Sequence, residues 1–288
     1  MHIWIPAELE EQWYYQGESQ RGAQYRYSDS CIQMACLVKQ VYSLPYRQTQ
    51  GFLESLVTMR GWRVQVPDYS VIQRRHKKLN MSVKGTGGPA KYIVMDSTGA
   101  KVYGEVEWKV RQHGWSKHRT WRKIHLAVDE RTGVIESCVM TPNSVDDAAM
   151  VGPLLDAVEG DVKKLAADGA FDKKKVYREL AKRKIKPVIP PRKNARITKH
   201  GNKKGRDLPR DKAIRRIRKV GRKQWKKQSG YHRRSIAESS MFRLKSQFGE
   251  KLTSRNMEQQ QVEVRIRCYV LNRMAEIGMP VAIKVRAA

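Results

Sequence analysis

Four polar side chains late in the chain have the types and spacing of a site that handles phosphate. They are Tyr231, Arg234, Glu238 and Lys245, separated by 3, 4 and 7 residues. An α-helix turns about 100° per residue, so on a helix the four would lie within roughly 60° of one another. Arginine, lysine and tyrosine suit phosphate oxygens, and a carboxylate suits a metal ion. The alternative is ordinary charge pairing of Arg234, Glu238 and Lys245 on a surface helix.

The charge of the chain indicates a polyanionic partner. Its 288 residues include 58 Lys and Arg against 28 Asp and Glu, a formal charge of +30. Such a field attracts nucleic acid. A membrane partner is disfavoured, because no apolar run approaches the ~18 residues of a span and no basic helix has a broad apolar face. No secretory signal is evident at the N-terminus, so we expect a bacterial cytoplasmic, nucleoid-associated protein.

The four cysteines are scattered without a CxxC pair, which argues against both a zinc ribbon and a disulfide framework. We expect ordinary reduced thiols.

Residues 1–83 predict a small all-α domain, similar to a helix-turn-helix unit, that binds DNA. The segment Ser28-Asp29-Ser30 can cap the first helix, a second covers 46–57, and a third runs from Pro67-Asp68 to about Leu79. The third helix offers polar side chains to phosphates or base edges, and these are Ser70, Gln73, Arg74, Lys77 and Lys78. A plain three-helix packing domain with a solvated charged face is the alternative. The glycine-rich KGTGGPA at 84–90 predicts a linker.

Residues 91–280 predict an α/β domain in which two aspartates follow buried strands. In KYIVMDSTG an apolar run leads directly to Asp96, and in KKLAADGAFD a second strand leads to Asp168. WRKIHLAVDERTGVIESCVM predicts a hairpin, and we expect helices at 145–158 and 172–184 and a short strand at 186–189. Taken singly, each aspartate is also a common turn former.

Between the second aspartate and Glu238 lies a strongly basic insertion, residues 192–227. It holds 17 Lys and Arg against two acidic residues, a net charge of +15. This composition is typical of a disordered solvated loop, but it also suits a segment that grips a phosphate backbone. Trp225 within it has two candidate roles, stacking on a DNA base and anchoring the segment in a core.

The two aspartates and the glutamate form a candidate metal site. If the strands that carry Asp96 and Asp168 are parallel neighbours, their carboxyl ends meet, and a late helix can bring Glu238 opposite them. Three carboxylates repel one another unless cations neutralise them, and hard oxygen ligands favour Mg²⁺ or Mn²⁺. Two such ions suit an in-line displacement at phosphorus.

This order of motifs resembles the DDE transposases of bacterial insertion sequences, specifically the insertion-sequence-five type within the insertion-sequence-four superfamily. That superfamily's signature is Tyr, two residues, Arg, three residues, Glu, six residues, Lys, and the first four residues named above match every spacing. IVMDSTG, ADGAFD, GEVEWKVRQHG, WRKIHLAVD and KIKPVIPPRKNA also resemble the family, from about residue 28 to Pro280. The resemblance implies a ribonuclease-H-like catalytic domain, a mixed five-stranded sheet with flanking helices.

The resemblance also implies a function. Asp96, Asp168 and Glu238 would be the catalytic, metal-binding triad, with two Mg²⁺ or Mn²⁺ ions, and Tyr231, Arg234 and Lys245 would hold phosphates near the transferred strand end. The partners would be double-stranded transposon ends and target DNA, and the protein would be at least a homodimer when assembled on them. Two alternatives stay open. One is a catalytically inactive DNA-binding copy that acts as a repressor, and the other is a ribonuclease-H-type nuclease without strand transfer.

Overall fold

The computed structural model describes residues 7–18, 22, 25–81, 83, 91–102, 121–198 and 208–277. By contacts the chain divides into two compact units, Met1–Ser82 with Ser254–Val270, and Val83–Thr253 with Leu271–Ala288. Residues 254–270, which the sequence places in the 91–280 domain, thus cluster with the first unit. The linker at 84–90, the GEVEWKVRQHG motif and residues 199–207 of the basic insertion lie outside the described residues.

The first unit contains the three expected helices. They are α1 (Asp29–Val41), α2 (Tyr46–Arg60) and α3 (Tyr69–His76). The Ser28 hydroxyl accepts from the Cys31 N–H and caps α1, and the Asp68 carboxylate accepts from the Ser70 N–H and caps α3. The second helix runs three residues beyond its predicted end, to a left-handed Gly61, and the third ends at His76.

The second unit is built on a six-stranded mixed sheet. Its strands are β1 (Lys91–Val102), β2 (Trp121–Asp129), β3 (Ile135–Pro142), β4 (Val162–Ala166), β5 (Lys186–Val188) and β6 (Lys251–Leu252). The order is β3-β2-β1-β4-β5, with β2 antiparallel to both neighbours, β1, β4 and β5 parallel, and β6 parallel to the end of β1. The predicted α/β class, a mixed sheet with flanking helices, is confirmed. The sequence predicted five strands, and the sixth is the two-residue β6.

Six further helices follow along the described part of the chain, and most of the last one clusters with the first unit. They are α4 (Val151–Asp156), α5 (Lys174–Lys182), α6 (Pro209–Val220), α7 (Arg222–Ser229), α8 (Ser235–Phe248) and α9 (Met257–Ile277). The helix predicted at 145–158 is a 3₁₀ turn followed by the short α4, and the helix predicted at 172–184 is α5. The described part of the basic insertion contains two helices, α6 and α7, and is therefore not a disordered loop along 209–229.

Successive side chains of β1 point to opposite faces of the sheet. Ile93 and Met95 join Leu165 of β4 in one core cluster with residues of α4 and α5. Because successive side chains of a strand point to opposite faces, Val94 and Asp96 point to the other face. There α8 contacts β1 and β2. The sheet thereby directs Asp96 towards the helix that carries Glu238.

No helix in the described part of the chain is both long enough and apolar enough to cross a membrane.

Candidate active site

Asp96 lies at a gap in the pairing of β1. The sequence placed this residue at the carboxyl end of a strand, whereas it lies in the middle of the 12-residue β1. The strand continues past Asp96 because it pairs with β2 from Ile93 to Lys101. On the opposite edge β4 pairs with residues 91–94 and β6 with 101–102, so residues 95–100 pair with no described strand on that edge. Asp96 lies in this gap.

Asp168 occupies the equivalent position on the neighbouring strand. The last parallel pair between β1 and β4 is Val94 with Ala166. Asp96 lies two residues after Val94, and Asp168 lies two residues after Ala166. The Asp168 carboxylate accepts from the Ala170 N–H at 2.8 Å and caps a 3₁₀ turn, Gly169–Phe171. Asp168 therefore both caps a turn and lies beside β1.

The Asp96 carboxyl is mostly buried, and its pKa is perturbed. Its side chain is 16% exposed, and burial raises its pKa above the usual value. The negative charges of Asp168 and Glu238 raise this pKa further, while the Ser97 N–H and the Arg234 guanidinium oppose the rise. The charges of Asp168 and Glu238 thus act on the Asp96 carboxyl.

A single guanidinium bridges two of these carboxylates. Arg234 donates from Nη1 to Asp96 Oδ2 at 2.7 Å and from Nη2 to Glu238 Oε1. The i,i+4 ion pair of Arg234 with Glu238 therefore exists, but it is half of a larger arrangement that ties α8 to β1. The Glu238 side chain is 54% exposed, so one of the two paired carboxylates faces solvent.

The spacing predicted one continuous α-helix through Tyr231, Arg234 and Glu238. The structure instead has two consecutive elements there. Gly230 ends α7 in the left-handed region at φ +72°, and Tyr231–Arg234 then forms a 3₁₀ turn before α8 begins at Ser235. In this turn the Tyr231 ring lies 5.8 Å from the Arg234 guanidinium carbon. Burial raises the pKa of the Tyr231 phenol, and the charges of Asp168 and Asp96 add to the rise.

The structure brings Tyr231, Arg234 and Glu238 together with the two aspartates, but it places Lys245 elsewhere. Lys245 lies two turns further along α8, and its ammonium is 3.9 Å from Glu250. Lys101 at the end of β1 pairs with the same carboxylate at 2.9 Å. The 7-residue separation thus puts Lys245 on a compatible face of the helix but beside a different acidic partner.

Among the described residues no group of three or more His, Cys, Asp or Glu side chains is arranged to hold a metal ion. The Arg234 guanidinium lies between Asp96 and Glu238 and supplies the positive charge there. By type, the donor set still fits a hard divalent ion, because all three side chains offer carboxylate oxygens.

A further aspartate, which the sequence analysis did not single out, fixes the basic helices beside this site. The Asp172 carboxylate is fully buried and accepts from Arg210 Nε at 2.7 Å and Nη2 at 3.1 Å. It also accepts from the Arg192 N–H and the Tyr177 hydroxyl. Although burial alone would raise its pKa, these donors hold the pKa below the usual value. The only sequence signal was a second aspartate four residues after Asp168.

Of the two roles considered for Trp225, burial favours the anchor. The residue is 7% exposed, and its ring centroid lies 6.3 Å from that of Tyr231. Arg216 of α6 donates to Gln228 of α7 and joins the two basic helices. Other cations of this pair, such as Arg218 and Lys219, are exposed.

In the first unit, Gln73, Arg74 and Lys77 are exposed, as a DNA-contacting surface requires. Their neighbours Arg75 and His76 are buried in the unit. The exposed residues therefore form the solvent face of α3 and of the turn that follows it.

Comparison with protein families identifies the class. A family model described as a transposase DDE domain matches residues 87–273, well over half of the chain, and a second model of the same description matches residues 1–105. The chain therefore belongs to the transposase DDE domain family, and the resemblance to insertion-sequence DDE transposases is confirmed at that level. Among solved structures, piggyBac transposase in a synaptic complex with hairpin DNA is similar, with a TM-score of 0.42 and 12% identity over 89% of this chain and 67% of that chain.

Proposed function

We propose that this protein is the transposase of a bacterial insertion sequence, of the insertion-sequence-five type, which binds the element's terminal repeats and cuts and joins DNA strands. Asp96, Asp168 and Glu238 are the proposed catalytic carboxylates. The observation that carries the proposal is the meeting of two of these carboxylates on one guanidinium, with the charge of the third acting on Asp96. A purely structural site has no reason to gather three carboxylates in a chain that binds a polyanion.

The proposed metal ligands are the same three side chains, for two Mg²⁺ or Mn²⁺ ions. When bound, such ions activate a water or a 3′-hydroxyl and stabilise the leaving oxygen in an in-line displacement. The carboxylates supply the negative charge that retains the ions, and Asp96, the more buried of the paired two, is held in place by the Ser97 N–H as well as by Arg234.

The cationic residues have a separate proposed role, which is to hold DNA. Arg234 would grip a phosphate of the reacting strand through its planar fork, with a hydrogen bond from Tyr231. Lys245, two turns further along α8, would add a point charge to a different phosphate. The exposed cations of α6 and α7 would follow the phosphate backbone. In the first unit, Gln73, Arg74 and Lys77 would contact the end DNA. We further propose that at least two protomers assemble on DNA, at the bacterial nucleoid.

Two other functions would use much of the same surface. An inactive copy that represses its element would bind the ends through the same cations without using the carboxylates. A ribonuclease-H-type nuclease would use the carboxylates but would not join strands. The arrangement of Tyr231 and Arg234 around Asp96 favours a protein that holds a strand end for transfer.

Incubation of the purified protein with candidate end DNA and Mg²⁺ tests the proposal, with defined 3′-hydroxyl ends and joined products as the readout. We expect Asp96→Asn, Asp168→Asn and Glu238→Gln each to reduce strand transfer by about 10³-fold, because metal ions contribute several kcal/mol to such transition states. DNA binding should survive in all three. The matched control is Asp161→Asn, which removes an exposed carboxylate paired with Lys163.

Bound Mn²⁺, measured by electron paramagnetic resonance without DNA, gives a readout that is independent of activity. The three variants should bind less Mn²⁺ than the control does. Full activity in EDTA, or normal transfer in any triad variant, would refute the assignment. Cleavage without joining would instead identify a nuclease.

A further inference from the structure

The first unit contains an open groove between the segment before α1 and the end of α3. Its volume is about 690 Å³, within the range of sites that hold small molecules. The lining includes Tyr25 and Arg26 on one side and Arg74, Lys77 and Lys78 on the other. All of the lining belongs to residues 25–78, so the groove is a property of this unit alone.

Tyr25 has an exposed ring whose position is fixed. The residue is 43% exposed. The Arg75 guanidinium carbon lies 4.2 Å from the ring centroid, and the Tyr15 ring packs edge-on at 6.0 Å. Arg75 is itself buried and donates to the Tyr27 carbonyl and the Asp29 carboxylate. The ring therefore rests on a guanidinium that the fold holds in place.

The charge of the groove is strongly positive. Five Arg and Lys side chains line it against a single carboxylate, that of Asp68. Arg74, Lys77 and Lys78 are exposed, and none of them is within ion-pair distance of a carboxylate in the described part of the chain. These three cations are thus available to an anionic ligand.

We propose that this groove binds an unpaired nucleotide of DNA, with the base stacked on the open part of the Tyr25 ring and the adjoining phosphates held by Arg74, Lys77 and Lys78. Fixed aromatic rings among cations are the recurring means of holding single-stranded nucleic acid. Within a duplex the base faces are covered by their neighbours, so the ligand is an unpaired base or a strand end. The inference rests on the proposed function only in taking DNA as the partner.

Fluorescence anisotropy in EDTA tests this, because no strand is cut without metal. The probes are a 15-nucleotide oligo-dT, a blunt duplex, and the same duplex with a 3′ overhang. We expect Tyr25→Ala to weaken binding of oligo-dT and of the overhang duplex by about 5- to 150-fold, the equivalent of the 1–3 kcal/mol of base stacking. Binding of the blunt duplex should change little. Tyr25→Phe, which keeps the ring, should bind like the wild type.

The matched control is Tyr42→Ala, because Tyr42 is a similarly exposed tyrosine of the same unit that packs on Phe52 away from the groove lining. Arg74→Gln and Lys77→Gln should each flatten the salt dependence of oligo-dT binding by about 0.7 in log–log slope. The salt slope of Tyr25→Ala should match the wild type, since no charge is lost.

Several results would overturn the groove as a nucleotide site. The first is wild-type affinity for oligo-dT in a folded Tyr25→Ala variant, and the second is an equal loss of affinity for the blunt duplex and for oligo-dT. The third is an unchanged salt slope in both cation variants. The fourth is tighter binding of the RNA oligo-U than of oligo-dT, which would mean that the ligand is RNA. If Tyr25→Ala fails to fold, the cation variants and Tyr25→Phe still decide the question. The first result would leave the carboxylate chemistry intact, whereas a wild-type protein that binds none of the probes would also contradict the proposed function.

Discussion

Replacing Arg234 by lysine keeps a positive charge beside Asp96 and Glu238 but removes the planar fork that binds both. The substitution separates two roles of Arg234. In one it is only an ion-pair partner that holds α8 against β1. In the other it is a clamp that holds a phosphate of the reacting strand.

The structure sets the size of the first effect. Glu238 is mostly exposed, and exposed helical pairs contribute about 0.3–0.5 kcal/mol. The Asp96 contact is more buried, and hydrogen bonds to charged groups contribute about 1.5–3 kcal/mol when they are lost completely. Because lysine can still donate to one of the two carboxylates, we expect a loss of about 0.5–1 kcal/mol in the free energy of unfolding. For a chain of this size that is a fall in Tm of no more than about 2–4 °C.

The second effect is larger. A misplacement of the reacting strand by about 1 Å costs about 10²-fold in rate. We therefore expect Arg234→Lys to reduce strand transfer of pre-cut end DNA by about 10²-fold while Tm stays within 4 °C of the wild type. The assays are single-turnover transfer in Mg²⁺ and thermal unfolding without metal.

Arg183→Lys is the matched control, since Arg183, at the end of α5, also bridges two carboxylates, those of Asp156 on α4 and Glu179 on α5. It should leave transfer unchanged. Near-normal transfer in Arg234→Lys would refute the clamp and leave Arg234 as an ion-pair partner. A large fall in Tm together with lost transfer would show that the contact is mainly structural.

Two more predictions concern DNA affinity and pH. Replacing Arg218, Lys219 and Lys223 of the basic helices by glutamine should flatten the log–log salt dependence of duplex binding by about 2.7, and an unchanged slope would mean that these cations are only solvated. Burial lowers the pKa of His76 to about 4, so below its unfolded value of about 6.5 the unfolded chain takes up a proton that the folded protein excludes. The free energy of unfolding should therefore fall as pH drops from about 6.5 towards 4, by up to about 3 kcal/mol at 1.4 kcal/mol per unit. In urea denaturation at pH 7, 5.5 and 4.5, His76→Gln should lose much of this dependence, and an unaltered dependence would contradict the prediction.

Much of the sheet could be predicted from the sequence because its signals are local. The apolar run Tyr92–Met95 indicated a buried strand, and the alternation on either side of DERTG indicated a hairpin. The structure has both, as β1 and as β2 with β3. The extent of β1 was not predictable in this way, because residues 96–100 continue the strand through their pairing with β2, which lies far away in the sequence.

The candidate site, too, was predictable from the sequence only in part. The signature spacing and the strand-end aspartates selected the five side chains that the fold brings together, Asp96, Asp168, Tyr231, Arg234 and Glu238. The spacing also selected Lys245, whose nearest acidic partner is Glu250. A spacing defines a helical face, but it does not say which strand lies opposite each turn of that face.

The sequence by itself determined the residue types, the local periodicity and the charge: three carboxylates in a chain of net charge +30, with motifs specific enough to indicate the family. Only the tertiary structure decided that one guanidinium joins Asp96 to Glu238 and that Asp172 holds the basic helices. It also decided that residues 254–270 cluster with the N-terminal helices. These features depend on contacts between residues tens to hundreds of positions apart. Local patterns record the conformation of a segment, whereas such contacts depend on how separate segments pack together.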